Sequence, residues 1–406
     1  MTVLFVILLW YSAHARQIIV TPDGPLSSIK EALFLADHGD SVIVRGGIFR
    51  ENNLIIDKTI HLIGEDHPVI DGEFRHHLLT VIADYVLITG MVFQNSGVSY
   101  IQENAAIKLD EVKQGRIIAN RFIDNFFAIY LAKSEQCQII DNDIRSSARR
   151  ESAAGNGIHL WYCKSITIEK NRIQGHRDGI YFEFVEDGTI IGNSSERNLR
   201  YGLHFMFSNN CRYRSNIFRE NGAGVAVMYT QHVLMENNYF ENNWGPAAYG
   251  LLLKDISDSQ IRRNHFIKNT VGIYAEGSNR NHIHENSFEG NGWAIRLMAN
   301  CLENTFSANS FVKNSFDVAT NSRQNFNQFN GNYWSRYQGY DLDRDGVGDI
   351  PYRPVRLFSI IAERQQPAII LLHSFFIDLL EIAEAVFPIL TPETLIDEQP
   401  LMRNIL

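Results

Sequence analysis

Two methionines and one histidine have the side-chain types of a copper site and a spacing that brings them together. Met206 and Met228 lie 22 residues apart (228 − 206), and His204 precedes Met206 by two residues. Soft thioethers with an imidazole form the ligand set expected for Cu(I), above all in an oxidising compartment. On a β-strand, His204 and Met206 share one face about 7 Å apart. The three residues are therefore copper-binding candidates, and apolar contact beneath a loop or a partner is the alternative.

Three other histidines form a second metal candidate. His282 and His284 flank the apolar Ile283, which places both rings on the outer face of a strand, and His265 lies about one repeat earlier. Imidazole is the commonest metal ligand in proteins. Ordinary surface histidines are the competing interpretation.

An acidic run near the C-terminal end has the alternation of a cation-binding loop. Asp341, Asp343, Asp345 and Asp349 occupy relative positions 1, 3, 5 and 9, with Gly346 at position 6. This alternation lets one tight loop direct several oxygens at a hard cation. Position 12 is not glutamate, so the run is not a full EF-hand loop. The four aspartates are calcium-binding candidates, and a solvated acidic turn is the alternative.

The outward face that carries the methionines also allows an enzymatic interpretation. Glu183, Tyr181, His159 and His204 are potential acid or base groups, and Trp161 could stack on a sugar ring. This pattern suits a polysaccharide lyase or epimerase that acts on uronate polymers. Such chemistry usually needs two or three carboxylates on neighbouring strands, and only Glu183 is available. Catalysis is therefore the second hypothesis.

These residues belong to a pattern that recurs along the chain with a nearly fixed period. An Asn, usually with an apolar residue two positions later, recurs mostly every 22 or 23 residues, and a second series places a small residue before an apolar one. Such self-similarity indicates a stack of like units, none of which can bury its apolar face alone. The first series is Asn120, Asn142, Asn171, Asn193, Asn216, Asn238, Asn264, Asn286, Asn309 and Asn332. The second is Gly157, Gly179, Gly202, Gly224, Gly250, Gly272 and Ala294.

Each unit is built from short strands rather than helices. After each member of the second series, positions +1 and +3 are apolar, which is the alternation of a strand with one buried face. Positions +2 and +4 then point outward, and they include His204, Met206 and Met228. The matched Asn side chains are expected to stack and hydrogen-bond along the axis. The sequence predicts an all-β fold, a right-handed parallel β-helix with about 22–23 residues per coil.

Five segments result from this organisation. Residues 3–10 are apolar and precede Ala13-His14-Ala15, a pattern typical of a cleaved signal peptide. Ser27–Ala36 has the spacing of a short amphipathic helix, which would cap the first coil. The segments are a signal peptide (1–15), an N-terminal cap with irregular first coils (16–119), the regular β-helix (120–334), an Asp-rich loop (335–354) and an apolar helical tail (355–406).

The tail combines a long apolar run with a few acidic residues. Pro367–Phe387 is largely apolar but contains Asp378, Glu381 and Glu384. Three acids are too many for a comfortable membrane span. We expect an amphipathic helix that docks on a partner or on the edge of the bilayer, and packing along the solenoid's own flank is the alternative.

Composition excludes several classes of function. The chain has 406 residues and a formal net charge of −9, which argues against a non-specific nucleic-acid binder. Its four cysteines show no paired close spacing, so the sequence contains no recognisable zinc site or CxxC motif. The phosphate-binding motif GxxxxGK[ST] is also absent, so any ATP hydrolysis would belong to a partner.

The segment after the last repeat is distinctive. It reads Gly331-Asn332-Tyr333-Trp334-Ser335-Arg336-Tyr337-Gln338-Gly339-Tyr340-Asp341-Leu342-Asp343-Arg344-Asp345-Gly346-Val347-Gly348-Asp349-Ile350-Pro351-Tyr352-Arg353-Pro354. With the opening runs 28–32 and 40–42, the repeats and the apolar acidic tail, this segment resembles the NosD family. That family matures nitrous oxide reductase in the periplasm.

The resemblance implies an exported, non-enzymatic protein that is periplasmic and peripheral to the inner membrane. It implies that the protein acts together with an ABC transporter membrane subunit and its ATPase and with a copper chaperone lipoprotein. Together these proteins would assemble the copper centre of nitrous oxide reductase. Copper or sulfur is then the handled species, and the apolar tail fits docking on the membrane subunit. The resemblance supplies no ligand motif, so the Cu(I) assignment of His204, Met206 and Met228 rests on the residue pattern alone.

Overall fold

The chain winds into three parallel sheets that run side by side along one axis. The computed structural model describes residues 15–99, 103–322, 324–372, 374–386 and 395–404. Every pairing between the strands of these sheets is parallel, and each strand pairs with its equivalents one coil before and after it. The predicted parallel β-helix is confirmed. The predicted signal peptide, 1–15, lies outside the described residues except for Ala15.

The strands of each sheet occupy the same part of successive coils. Sheet 1 has 14 strands within the described residues: Gln17–Val20, Ser41–Arg45, His61–Glu65, Leu87–Thr89, Arg116–Ile118, Gln138–Ile140, Thr167–Glu169, Thr189–Ile191, Arg212–Arg214, Leu234–Glu236, Gln260–Arg262, His282–His284, Leu302–Ser307 and Phe326–Asn330. Sheet 2 has 13: Ile48–Phe49, Val69–Asp71, Val92–Gln94, Arg121–Ile123, Asp143–Arg145, Arg172–Gln174, Ser194–Glu196, Ile217–Arg219, Tyr239–Glu241, His265–Ile267, Ser287–Glu289, Ser310–Val312 and Tyr333–Trp334. Sheet 3 has 12: Leu54–Ile56, Leu79–Val81, Ala105–Asp110, Phe127–Ala132, Ile158–Trp161, Asp178–Glu183, Tyr201–Met206, Ala223–Met228, Tyr249–Lys254, Val271–Glu276, Trp293–Leu297 and Phe316–Thr320.

The core is a set of columns in which like side chains stack from coil to coil. The apolar residues two positions after the members of the first Asn series are buried, and the last six rings of that column stack with centroids 4.1 to 5.6 Å apart. Ser195 interrupts this column because it serves a polar role: its hydroxyl donates to the carbonyl of Gly202 and accepts from the side chain of Asn198. The aromatic column consists of Phe218, Phe240, Phe266, Phe288, Phe311 and Trp334.

A ladder of asparagines marks the corner between sheets 1 and 2, as predicted. From Asn120 to Asn332, the backbone N–H and the side-chain amide of each Asn donate to Oδ1 of the Asn one coil later. Two further corner ladders were not predicted. One runs from Asn198 to Asn314, and the other includes Ser259, Asn281, Asn304 and Asn327. Each ladder satisfies buried polar groups that the tight turns would otherwise leave unpaired.

A short helix covers the first coils. Helix α1, Ile29–Leu35, lies within the predicted span. The hydroxyl of Ser28 accepts from the N–H of Glu31, and the carboxylate of Glu51 accepts from the first two N–H groups of the helix. Ile29, Ala32 and Leu33 are buried, whereas Leu35 is half exposed.

The C-terminal segment contains two α-helices, and the first packs on the solenoid. Helix α2 spans Leu357–Arg364, and α3 spans Phe375–Val386. Short 3-10 turns occupy Gln366–Leu371 and Glu151–Ala153. Phe358 of α2 packs against Phe316 of sheet 3, and Glu363 pairs with Arg296. None of the described helices combines the length and the apolar character that a bilayer crossing requires.

The two expectations for the tail concern the apolar run 367–387, which contains α3. Helix α2 precedes that run and packs on sheet 3 of the solenoid. Helix α3 buries Ile377 against the same small cluster but leaves Phe375, Phe376, Leu379 and Ile382 more than half exposed. Exposed apolar side chains that lie together are typical of a docking surface.

Residues 395–404 return to the last coil and close it. Asp397 is fully buried and forms isolated bridges to Phe329 and Tyr352, while Leu401 bridges to Tyr333 and Val347. Both carboxylate oxygens of Asp397 accept hydrogen bonds from the last coil. The ladder of asparagines therefore ends on a buried carboxylate.

Candidate functional site

Met206 and Met228 lie side by side on the outer face of sheet 3. Their Cα atoms are register partners on adjacent strands, and both side chains are partly exposed. The preceding residues, Phe205 and Val227, are fully buried, so the alternation of each strand turns the thioethers outward. The structure thus brings together the two methionines that the sequence singled out.

His204 shares this face but is covered by aromatic rings. Its residue is only 4% exposed, because Tyr201 and Tyr181 pack against the imidazole with centroids 4.8 and 5.0 Å away. Neither ring nitrogen has a hydrogen-bond partner among the described residues, although Nδ1 lies 3.5 Å from a carboxylate oxygen of Asp178. A carboxylate beside Nδ1 favours a proton on that atom, which leaves Nε2 with a free lone pair for a metal.

Buried Asp178 and partly exposed Arg200 form an ion pair beside the imidazole. Asp178 is fully buried, and Nε of Arg200 donates to its Oδ1 at 2.8 Å while NH2 of Arg200 contacts Oδ2. Burial raises the pKa of Asp178, but the hydrogen bonds and the charge of Arg200 act against burial, and the pKa lies below its usual value. The carboxylate therefore stays ionised and fixes the orientation of His204.

Tyr181 contacts both Met206 and His204. Its hydroxyl donates to Sδ of Met206 at 3.4 Å, and its ring packs edge-on against His204. Burial raises the pKa of Tyr181 to about 12, so the hydroxyl remains a proton donor. The sequence had placed Tyr181 only among possible acid or base groups, and it gave no sign that Asp178 and Arg200 support the site.

The geometry gives little support to acid–base catalysis on this face. Glu183 lies between Trp161 and Met206 in register, as predicted. His159 is sandwiched between the rings of Tyr130 and Tyr181, and burial lowers its pKa to about 3, so it would not be protonated near neutral pH. Catalysis of this kind needs a second free carboxylate near Glu183. Asp178 does not supply one, because it is paired with Arg200.

The second histidine candidate is divided between two sheets. His282 and His284 lie on one strand of sheet 1, whereas His265 lies on sheet 2 and stacks on Tyr239 with a centroid distance of 4.5 Å. The chain passes from sheet 1 to sheet 2 at each residue of the first Asn ladder. His265 comes after Asn264 and so lies on sheet 2, whereas the other two histidines precede Asn286 and lie on sheet 1. Nδ1 of His282 hydrogen-bonds Thr305. The structure does not bring the three rings together.

The acidic loop gathers three of its four aspartates. One carboxylate oxygen from each of Asp341, Asp343 and Asp345 lies within 4.8 Å of the others, and no other such group of three is found within the described residues. Asp349 plays a different part, since its Oδ2 accepts from the N–H of Leu342 at 2.7 Å. Gly346 has φ +90° and donates its N–H to Asp341. The loop presents several oxygens to one point, which is the arrangement that Ca²⁺ needs.

Comparison with known proteins identifies the family. The family profile described as "Periplasmic copper-binding protein (NosD)" matches residues 142–339. A probable ABC transporter binding protein NosD from Pseudomonas aeruginosa is 30% identical over 370 residues, which cover 86% of each chain. The chain belongs to the NosD family. The namesake from Stutzerimonas stutzeri is 27% identical over 374 residues, 87% of this chain and 85% of its own.

Membership of the NosD family confirms the resemblance that the segment after the last repeat indicated. It also places the chain in a periplasmic family, as the sequence predicts. The family is described as copper-binding, which agrees with the choice of copper over other metals but does not name the ligands.

Solved structures show the fold in proteins of different kinds. The family 28 exopolygalacturonase of Yersinia enterocolitica matches with a TM-score of 0.58 at 8% identity and covers 78% of both chains. The adhesin PfbA of Streptococcus pneumoniae matches with a TM-score of 0.54 at 12% identity, over 74% of this chain and 95% of the other. An enzyme and an adhesin share this architecture, so the fold alone does not decide the function.

Proposed function

We propose that this NosD-family chain is a periplasmic accessory protein that receives Cu(I) on sheet 3 and passes it on during assembly of the copper centre of nitrous oxide reductase. The observation that carries the proposal is the pair Met206 and Met228, which lie in register on the outer face beside His204. The chain belongs to a family described as copper-binding.

The ligand set suits transfer rather than storage. Thioethers bind Cu(I) without a negative charge, so each bond can exchange for a ligand on another protein. The four cysteines within the described residues are buried and free, and burial raises the pKa of the Cys211 thiol to about 12, so a competing thiolate is not offered at neutral pH. The rigid solenoid holds Met206 and Met228 on neighbouring strands, which lowers the entropy cost of binding one ion with both.

Copper titration of the purified chain tests this proposal. We expect one Cu(I) per chain at the sheet 3 site when a chromophoric Cu(I) chelator competes, and much weaker binding of Zn²⁺, which prefers thiolate and imidazole ligands. No uptake of Cu(I) from a weak chelator would contradict the proposal.

The partners of the site are inferred from the family. The two relatives are named as probable ABC transporter binding proteins. We propose that this chain binds the membrane subunit of such a transporter, whose ATPase supplies the energy, and that a copper chaperone lipoprotein and nitrous oxide reductase are the donor and the acceptor of Cu(I). The exposed apolar side of helix α3 is the proposed contact with the membrane subunit.

Helix α3 provides a direct test of the transporter contact. Replacing Phe375 and Leu379 with serine is expected to reduce co-purification with the membrane subunit at least tenfold, because apolar anchors contribute most of the binding free energy of such surfaces. Phe326→Ser is the matched control, since Phe326 is likewise well exposed, on sheet 1. Equal recovery of the complex with the double variant and with the control would exclude α3 as the contact.

Calcium binding by the acidic loop is a separate proposal with its own test. At about ten times its Kd, Ca²⁺ should stabilise the folded chain by roughly 1.4 kcal/mol and raise the melting temperature by about 2 °C. Asp343→Asn should abolish this shift, whereas Asp66→Asn, at an exposed residue far from the loop in sequence, should retain it. A shift that is the same in both variants would show that Ca²⁺ acts elsewhere.

A further inference from the structure

Four aromatic side chains stack in a row on the surface beside the methionine pair. This aromatic strip consists of Tyr162, Phe184, Phe207 and Tyr229, which occupy the same turn of four successive coils. Successive ring centroids lie 4.5, 5.2 and 5.0 Å apart, with interplanar angles of 21° or less. Tyr162, Phe207 and Tyr229 are 52%, 40% and 41% exposed. The strip is therefore an apolar surface rather than part of the core.

The backbone conformation at the four positions of the strip is unfavourable for aromatic residues. All four aromatics have φ between +50° and +55°, a region in which bulky L-residues are strained. The same turn holds Glu111 and Lys133 in the two preceding coils and Asp255 and Gly277 in the next two, so the turn itself does not require aromatic residues. Neither the turn nor burial in the core accounts for four consecutive rings.

The orientation of the rings selects the kind of partner. Because the ring faces are stacked on one another, the edges point to solvent, and a sugar or a nucleic-acid base would find few free faces to stack on. Ring edges instead favour contact with aliphatic side chains and with the sulfur of methionine. The strip therefore suits a protein surface that is apolar and contains thioethers.

The strip lies one residue after the proposed copper ligands. Phe207 comes directly after Met206 and Tyr229 directly after Met228, so a protein that covers the strip also covers the methionine pair. Transfer of Cu(I) by ligand exchange requires that donor and acceptor ligands reach the same ion. We infer that the aromatic strip docks the copper-carrying protein that delivers Cu(I) to Met206 and Met228. This inference rests on the proposed function.

The size of the strip fits a transient complex. An aromatic side chain offers roughly 150–250 Å², so four rings that are about two-fifths exposed offer on the order of 250–400 Å². A stable interface buries about 800 Å² on each partner. The strip is thus too small to hold a second copy of this chain in a stable dimer, whereas a brief delivery contact needs no larger area.

The experiment measures Cu(I) uptake by the full mature chain from two sources. One source is the Cu(I)-loaded soluble domain of the copper chaperone lipoprotein, and the other is Cu(I) bound to ferrozine, a weak chromophoric chelator. For Phe184→Asn with Phe207→Asn, we expect the rate from the chaperone to fall at least tenfold while uptake from the chelator stays unchanged. The melting temperature should stay equal or rise, because Asn suits positive φ. Tyr85→Asn is the matched control, since Tyr85 is 55% exposed with φ +61°.

The outcomes separate this inference from the copper proposal. An unchanged rate from the chaperone in the double variant would overturn the docking role of the strip. A lowered melting temperature together with slower uptake from both sources would also overturn it, since the rings would then be structural. If the unaltered chain takes no Cu(I) from the chelator, the copper proposal itself fails, and the strip loses its assigned partner with it.

Discussion

Replacing Asp397 with alanine is expected to destabilise the C-terminal coils by about 4 kcal/mol. The carboxylate of Asp397 is fully buried and accepts four hydrogen bonds from the last coil, given by the backbone N–H groups of Gly331 and Asn332, the side-chain amide of Asn332 and the indole of Trp334. A fifth comes from the N–H of Gln399 in its own segment. Alanine would leave these four donors of the last coil, three of them buried, without their acceptor. Each such loss costs on the order of 1–3 kcal/mol, and losses within one network do not add fully.

The direction of the ladder explains why a carboxylate stands at this end. Each ladder Asn donates toward the next coil, so the amide dipoles align and their N–H ends accumulate at Asn332. An aligned row of amides favours a negative charge at its N–H end, as the N-terminus of an α-helix does. Asp397→Asn should therefore also destabilise the end of the solenoid, because it removes the charge and adds a donor.

Hydrogen exchange measures the effect where it occurs. Local unfolding of a solenoid begins at an end, so protection in 302–334 should fall strongly in Asp397→Ala while the coils before Asn264 keep theirs. Glu398→Ala is the matched control, because Glu398 is the exposed neighbour of Asp397. Unchanged protection of 302–334 in Asp397→Ala would show that the segment 395–404 does not close the coil in solution.

Removal of both thioethers should lower the affinity for Cu(I) by at least 100-fold. Met206→Ala with Met228→Ala leaves only His204 of the proposed ligands, and one imidazole cannot hold Cu(I) against a competing chelator. Both side chains are partly exposed, so the double variant should keep its fold at a cost of about 1 kcal/mol. The measurement is a competition titration with a chromophoric Cu(I) chelator.

Met402 provides the control for loss of a thioether as such. It lies partly exposed in the closing segment, far from sheet 3 in the chain. Met402→Ala should bind Cu(I) as the unaltered chain does. Equal affinity in Met206→Ala with Met228→Ala and in Met402→Ala would exclude the methionine pair as the copper site.

The period of the sequence was sufficient to predict the register of sheet 3. Because each coil repeats after nearly the same number of residues, matched positions become neighbours, and Met206 meets Met228 without any information beyond the spacing. The asparagine ladder was predictable for the same reason. The short insertions do not disturb it, since Asn142 still bonds to Asn171 across a coil of 29 residues.

Contacts that depend on corners or on distant parts of the chain were not predictable. His265 was grouped with His282 because it lies about one repeat earlier in the sequence. The chain turns a corner at each ladder residue, however, so the strands on either side of it belong to different sheets. The bond between Asn332 and Asp397 joins residues 65 apart, outside any repeat. The burial of His204 depends on the aromatic side chains of Tyr181 and Tyr201, whose packing the alternation of a strand does not fix.

X-ray absorption at the copper K-edge of the Cu(I)-loaded chain tests the central claim most directly. We predict a spectrum that contains two sulfur neighbours and one nitrogen neighbour, with the sulfur contribution lost in Met206→Ala with Met228→Ala and the nitrogen contribution lost in His204→Ala. A first shell of nitrogen and oxygen only, or a sulfur shell that survives in the double methionine variant, would contradict a copper site at Met206, Met228 and His204.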